Sequence, residues 1–228
     1  MLNDLLNFLA GLDFRDFMAL FWYFFVFELT RYVIFDAVMI FFRVSHRVLL
    51  RKKYDRARGL LFNHEPLVSV IAPGRNEGKN LPKLAASLRE QTYQNYELIV
   101  VDDGSDDDTY EAGRRLQKAG AIDRFFRNKR RGGKASAANL ALRYARGEFV
   151  VHMDADSHLR QDALERILAR FYMDDQVGAV GGDLRVANLQ DGLCPSLQGL
   201  EYMETLSTGR TVASMLGILR IVSGEIGR

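Results

Sequence analysis

The 228-residue sequence has a single cysteine, Cys194, so no disulfide can form within the chain. It also lacks any grouping of Cys and His residues with metal-ligand spacing. The sequence also has no strong excess of positive or negative charge, since 31 Lys and Arg against 29 Asp and Glu leave a net charge of +2. These absences exclude a disulfide scaffold and give no reason to expect a nucleic-acid partner. They fit a reducing compartment that faces the cytosol.

Aromatic residues are concentrated in the first 42 positions of the sequence. As one helix, residues 17–42 are long enough to cross a bilayer, which needs about 20 residues. Glu28 and Arg31 stand one turn apart and can pair, which lowers the cost of placing their charges in lipid. We therefore expect a single N-terminal transmembrane helix. An amphipathic helix that lies in the membrane interface is the alternative.

The two flanks of this apolar stretch differ in charge. The preceding flank has one basic residue, Arg15, among three aspartates, whereas a basic cluster occupies residues 43–58. Positive charge on one side predicts that everything after Phe42 lies in the cytoplasm. We interpret residues 1–58 as an anchor and basic linker in the inner or plasma membrane.

From residue 59 to residue 228 we expect one α/β domain, since the length suits a single sizeable core. Short apolar runs predict strands over 68–71, 97–101, 124–126, 149–153 and 177–180. Helical periodicity predicts helices over 80–91, 109–119, 134–146 and 161–173. The alternation predicts a mostly parallel, Rossmann-like sheet with helices on both faces. Ligands of such sheets bind beyond the carboxyl ends of the strands.

A pair of aspartates, Asp154 and Asp156, follows the predicted strand 149–153. Residues two apart in an extended segment point to the same side, so both carboxylates can face the ligand crevice. Mg²⁺ or Mn²⁺ is commonly held by one or two carboxylates together with substrate phosphates. We therefore predict a divalent metal at Asp154 and Asp156.

Two other strand ends carry polar groups. Pro73, Asn76 and Glu77 lie in a tight turn after the first strand, and Asp102 and Asp103 follow the second. A carboxylate at that position can accept hydrogen bonds from a base or a ribose. The next acids, residues 106–108, are interpreted as structural.

A third element, Gly132-Gly133-Lys134, introduces the helix predicted over 134–146. Glycines let the backbone approach a phosphate, a helix N-terminus attracts anions, and Lys134 adds a positive charge. We expect Lys134 to bind a diphosphate. Residues 129–131 are interpreted as a solvated charge run.

Together these motifs resemble the inverting family-two glycosyltransferases, which have a GT-A fold. The similarity runs over residues 66–228 and includes Ser223-Gly224. The resemblance implies a UDP-sugar donor, with Pro73, Glu77 and Asp103 around the uridine and Asp156 as the principal metal ligand. The full set of expected nucleotide-sugar-binding residues is Pro73, Asn76, Glu77, Asp102, Asp103, Lys134 and Asp154.

Residues 177–188 and 197–202 are similar to the processive, membrane-bound members, which include the synthases of poly-N-acetylglucosamine, hyaluronan, chitin and cellulose. In those enzymes a Glu-Asp pair that supplies the general base follows the Ser-Gly segment. No catalytic residue is identified up to Arg228, so we expect the base beyond that residue or on a second polypeptide.

The expected acceptor is a growing glycan. Two alternatives stay open: single transfer of a sugar to a lipid phosphate carrier, and a non-catalytic nucleotide-sugar-binding module.

Overall fold

The computed structural model describes residues 11, 13–182, 186, 192–202 and 225–227. The chain divides into two units, Met1–Arg51 and Lys52–Arg228. The helices of the described residues are α1 Phe14–His64, α2 Leu81–Arg89, α3 Thr109–Lys118, α4 Lys134–Leu142, α5 Ala163–Met173 and α6 Leu193–Glu201. The strands are β1 Val68–Gly74, β2 Tyr96–Asp102, β3 Arg124–Arg127, β4 Phe149–His152, β5 Ala179–Gly181 and β6 Glu225–Gly227.

The first unit contains the aromatic part of α1. The predicted pair forms, with Arg31 Nη2 2.6 Å from Glu28 Oε2. The side chains of Trp22, Phe24 and Phe27 are exposed. The predicted membrane-spanning helix is not confirmed, because no helix of the described residues is long and apolar enough to cross a membrane.

The second unit is built on a six-stranded sheet in the order β3-β2-β1-β4-β6-β5. β1 is parallel to β2 and β4, and β2 is parallel to β3. β6 is antiparallel to both of its neighbours, β4 and β5. The prediction of a mostly parallel sheet is therefore confirmed. β6 is an element that the sequence patterns did not predict.

Side chains alternate between the two faces of the sheet, as the period of two in a strand requires. Val70 faces a core that includes Leu84 of α2 and Leu168 of α5. Ile71 faces the opposite core, where Ala137 of α4 is buried. Helices thus cover both faces, as predicted.

The last turns of α1 belong to this second unit. Ala57 and Leu61 are buried, and Arg58 Nε lies 2.6 Å from Glu165 Oε1 on α5. Thr92 Oγ1 donates a hydrogen bond to the other oxygen of Glu165 at 2.9 Å. The end of α1 is therefore packed against the domain by apolar burial and by a carboxylate that is itself nearly buried.

Candidate functional site

The candidate site is a cavity of about 290 Å³ beyond the carboxyl ends of β1 and β4. Parallel strands end at the same edge of a sheet, so the turns that follow β1, β2 and β4 meet there. The residues that line the cavity are Pro73, Gly74, Arg75, Glu77, Asp103, Arg131, Gly133, Lys134, Asp154, Ala155 and Asp156.

Most of the predicted site residues meet in this cavity. Those that line it are Pro73, Glu77, Asp103, Lys134, Asp154 and Asp156. Asn76 and Asp102 are not among its lining residues. The predicted Ser223-Gly224 element lies outside the described residues.

Asp102 is fully buried and does not line the cavity. Its Oδ1 accepts hydrogen bonds from the backbone N–H of Ser105 at 2.9 Å and from the Ser105 hydroxyl at 2.5 Å. Arg127 Nε forms an ion pair with its Oδ2 at 3.3 Å. These contacts close the tight turn after β2, in which Gly104 has a φ of 72°.

Asn76 joins the turn after β1 to the turn after β2. Its backbone N–H donates to Ser105 Oγ at 2.8 Å, and its Oδ1 accepts from the backbone N–H of Asp106 at 3.0 Å. Its φ of 60° lies in the left-handed region, which asparagine tolerates better than most residues. The neighbouring Arg75 forms an ion pair with Asp106 at 2.6 Å. Asp106 is thus structural, as predicted.

Small residues let the turn after β1 approach the turn after β4. A Cβ on Gly74 would lie only 2.7 Å from the Cβ of Ala155 and 3.0 Å from Glu77 Cγ. Any side chain at position 74 would push these two segments apart. Glu77 and the two aspartates that flank Ala155 line one cavity because of this close approach.

Asp103 is 4% exposed and accepts three hydrogen bonds. Asn128 Nδ2 and the backbone N–H of Gly132 donate to its Oδ1 at 2.8 and 2.9 Å. The backbone N–H of Gly133 donates to its Oδ2 at 2.7 Å. Burial opposes ionisation of this carboxyl, but the three hydrogen bonds outweigh it and hold the pKa of Asp103 below its ordinary value.

Lys134 is the first residue of α4, and its Nζ forms an ion pair with Asp154 Oδ1. Both side chains are about half exposed. The residue before the helix, Gly133, has a φ of 85° and no side chain with which to cap α4. The positive end of the helix therefore opens toward the cavity together with the Lys134 ammonium.

The residues fit a hard divalent cation that shares its coordination with a substrate. Asp154 and Asp156 both line the cavity and offer only oxygen ligands. Within the described ranges, no group of three or more His, Cys, Asp or Glu side chains could hold a metal ion. A magnesium or manganese ion here would depend on oxygen atoms supplied by a phosphate or by water.

Two charged residues of the cavity, Arg75 and Arg131, were not predicted as site residues. Arg75 lies in the turn after β1, and Arg131 belongs to the segment 129–131, which the sequence indicates is a solvated charge run. Arg131 is exposed, as that interpretation requires, and it also lines the cavity. The available signal was its position next to Gly132 and Gly133, which bring the backbone of this segment against Asp103.

Comparisons with known proteins agree on one family. The family model described as "Glycosyl transferase family 2" matches residues 69–210. A glycosyltransferase of Streptococcus pneumoniae, GlyG, is 31% identical over 115 residues, which are 50% of this chain and 38% of that protein. The poly-beta-1,6-N-acetyl-D-glucosamine synthase of Staphylococcus aureus is 25% identical over 195 residues, which are 85% of this chain and 45% of that protein. The chain thus spans less than half the length of both relatives.

One solved structure is similar over most of the chain. It is a mannosyltransferase from Pyrobaculum calidifontis in complex with GDP-Man and Mn²⁺. The TM-score is 0.50 at 30% sequence identity, and the match covers 69% of this chain and 49% of that one. This similarity supports an α/β fold of the GT-A type with a mostly parallel sheet.

Proposed function

The chain belongs to glycosyl transferase family 2, and from this premise we propose that its cavity binds a UDP-sugar whose sugar is transferred, with inversion, to a growing glycan. The proposal rests on one structural observation. Glu77, Asp103, Lys134, Asp154 and Asp156 come from four separate segments and line a single cavity at one edge of a parallel sheet. The family resemblance drawn from the motifs is confirmed by the family match and by the similar solved structure.

The diphosphate is assigned to the side of the cavity formed by Lys134 and the N-terminus of α4. An ammonium group and a positive helix end both favour a polyanion. Arg131 lines the same cavity and adds a guanidinium that can bind phosphate oxygens in a bidentate manner. Pro73 and Glu77 also line the cavity, and we assign them to the nucleoside. Asn76 and Asp102 do not line the cavity, and their hydrogen bonds hold the turns after β1 and β2 together.

Asp156 and Asp154 would hold Mg²⁺ or Mn²⁺ together with the diphosphate. The similar mannosyltransferase was solved with Mn²⁺ and a nucleoside-diphosphate sugar, which supports a divalent ion at such a site. When bound, the ion offsets the negative charge that builds up on the departing diphosphate. Lys134 forms an ion pair with Asp154 in this structure; an ion held by Asp154 would take over as the partner of that carboxylate, and the Lys134 ammonium could then bind a phosphate oxygen.

A hexose or N-acetylhexosamine polymer is the proposed product. The similarity over 85% of the chain to a poly-beta-1,6-N-acetyl-D-glucosamine synthase supports a glycan acceptor and UDP-N-acetylglucosamine as the first donor to test. Transfer to a lipid phosphate carrier is the competing activity. Radiolabelled donor distinguishes the two, because elongation gives products longer than the primer, whereas single transfer gives one labelled lipid.

We also propose that residues 17–42 associate with a membrane and leave the sheet domain in the cytoplasm. The exposed aromatic side chains of α1, among them Trp22, Phe24 and Phe27, support contact with lipid. Reporter fusions placed after Arg58 should register as cytoplasmic, and a periplasmic signal would contradict this orientation. Extraction by alkaline carbonate would identify an interfacial helix instead of a spanning one.

Calorimetry on the full chain in lipid tests the donor site. Wild-type protein should bind UDP-N-acetylglucosamine in the presence of Mn²⁺, and Lys134→Ala should weaken that binding at least tenfold, since a charge-assisted contact is lost. Lys129→Ala is the matched control, because Lys129 is an exposed lysine of the same segment that does not line the cavity. Equal losses in both variants, or no binding by wild type, would refute the proposal.

A further inference from the structure

The carboxylate loop, residues 153–162, joins β4 to α5 and carries Asp154 and Asp156. These loop residues belong to neither a helix nor a strand. The start of the loop is tied to the sheet, since the backbone N–H of Met153 donates to the Ile71 carbonyl at 3.1 Å. The position of the two carboxylates therefore depends on what holds the other end of the loop.

Gln91, the second residue after α2, holds that other end. Its Nε2 donates to the Arg160 carbonyl at 2.8 Å, and its Oε1 accepts from the backbone N–H of Leu164 at 3.1 Å. Nε2 also donates to the Ser87 carbonyl of α2 at 3.0 Å. Gln91 is only 3% exposed, so these bonds are largely shielded from water. One buried side chain thus joins the end of α2 to both the carboxylate loop and the first turn of α5.

We infer that Gln91 is a positioning residue, which holds the carboxylate loop so that Asp154 and Asp156 can share a divalent ion with the diphosphate. The inference rests on the proposed function, since it concerns how the metal ligands of that site are placed. Gln91 does not line the cavity, so it acts through the loop and does not touch the donor.

The residue after Gln91 strengthens the same junction. The backbone N–H of Thr92 donates to the Gln161 carbonyl at 2.7 Å, and Thr92 Oγ1 donates to Glu165 Oε2 at 2.9 Å. Glu165 is also held from α1, because Arg58 Nε lies 2.6 Å from its Oε1. The end of the carboxylate loop is therefore fixed to a hydrogen-bonded junction of α1, α2 and α5.

The amide of Gln91 suits this junction because it offers a donor and an acceptor at once. Arg160 presents a carbonyl, and Leu164 presents an N–H of the first turn of α5, which has no acceptor within its own helix. A methionine would fill a similar space but could not replace these bonds. A divalent ion is sensitive to the resulting shift, because Mg²⁺ needs near-ideal octahedral geometry and binds more weakly when groups that orient its ligands are removed.

Calorimetry on the full chain in lipid tests whether Gln91 acts on the ion. Gln91→Met should lower the affinity for UDP with Mn²⁺ about tenfold, and should leave the affinities for uridine and for UDP without an ion within about twofold of wild type. Glu97→Gln is the control for lost stability, because it alters another buried polar side chain, at the amino end of β2. It should leave all three affinities unchanged, and an equal loss of the ion effect in both variants would overturn the inference.

Hydrogen exchange on the ligand-free full chain tests the contact itself. In wild type, the Leu164 amide should exchange at least about tenfold more slowly than in an unstructured peptide, and Gln91→Met should remove most of that protection. Gln117→Met makes the same change on α3 and should not affect Leu164. An unprotected Leu164 amide in wild type would overturn the inference even if Gln91→Met does not fold.

A second variant, Gln91→Asn, keeps the amide but shortens the side chain by one methylene, so it cannot hold both Arg160 and Leu164. It should show the same selective loss of the ion effect as Gln91→Met. An ion effect in wild type that persists in either folded variant would refute the role of Gln91 alone. A wild type that binds UDP equally well with and without the ions would instead refute the proposed metal site, and this inference with it.

Discussion

Glu97→Gln should destabilise the second unit without affecting the donor site. Glu97 of β2 is 2% exposed and lies at the amino end of the sheet, far along β2 from the cavity. Its Oε2 accepts from Arg146 Nε and Nη2 at 3.0 and 2.8 Å. Its Oε1 accepts from Ser69 Oγ at 2.7 Å and from the backbone N–H of Arg146 at 2.8 Å.

The expected loss of stability depends on which of the Glu97 hydrogen bonds a glutamine can keep. Its oxygen can retain the contacts of Oε1, but its NH₂ group faces the guanidinium, so two charge-assisted bonds are lost. Each is worth about 1.5–3 kcal/mol net, and the exposed Arg146 side chain recovers part of this from water. We expect a total loss of about 2–3 kcal/mol, or a fall in Tm of roughly 4–12 °C.

The loss should also depend on pH. Burial raises the pKa of Glu97, but the bonds from Ser69 and Arg146 outweigh burial and hold the pKa below its ordinary value. A carboxyl whose pKa is lowered on folding contributes stability above its unfolded pKa, and that stability is lost as the pH falls through the folded value. The difference between wild type and Glu97→Gln should therefore be largest near neutral pH and shrink below the ordinary carboxyl range.

Urea unfolding followed by circular dichroism at several pH values measures this difference. Arg166→Gln is the control, since it removes a partly exposed ion pair between Arg166 on α5 and Asp162, the residue before that helix, and should cost less than about 1 kcal/mol. UDP affinity should be unchanged in folded Glu97→Gln. A variant as stable as wild type at pH 7, or a loss that persists undiminished at low pH, would refute the reasoning.

Three further substitutions test the packing and the cavity. Gly113→Ala should cost roughly 1–3 kcal/mol in urea unfolding, because its Cβ would overlap the Phe125 ring. Gly74→Ala should weaken UDP binding in calorimetry more than it lowers Tm, since it pushes Ala155 and its flanking aspartates away from the turn after β1. Arg131→Ala should weaken UDP severalfold and leave uridine unchanged, whereas an unchanged UDP affinity would place its side chain outside the diphosphate site.

Much of the fold could be predicted from the sequence because β1, β2 and β4 are continuous apolar runs. A strand that is buried on both faces needs apolar side chains on both, so it appears in the sequence as a continuous apolar run. β6 was not predicted, since its three residues, Glu225–Gly227, carry no periodic pattern. Its place between β4 and β5 is set by tertiary pairing, which a local pattern does not encode.

The candidate site was predictable to the level of its segments, and less so to the level of single side chains. The neighbours Asp102 and Asp103 point to different surroundings because side chains alternate along a strand. Sequence alone gave no means to say which of the two would face the cavity. Arg131 lies in a loop, where no helix or strand period predicts the direction of its side chain. That direction depends on the conformations of the neighbouring glycines, which contacts with distant residues fix.

The proposed donor site depends on a divalent ion that the carboxylates after β4 bind together with a diphosphate. Its most direct test is calorimetric titration of UDP into wild type and Asp156→Ala, each with Mn²⁺, with Mg²⁺ and with neither ion. Wild type should bind UDP at least tenfold more tightly with one of the ions, and Asp156→Ala should lose this gain while its affinity for uridine persists. A wild-type affinity for UDP that is the same with and without both ions would contradict it.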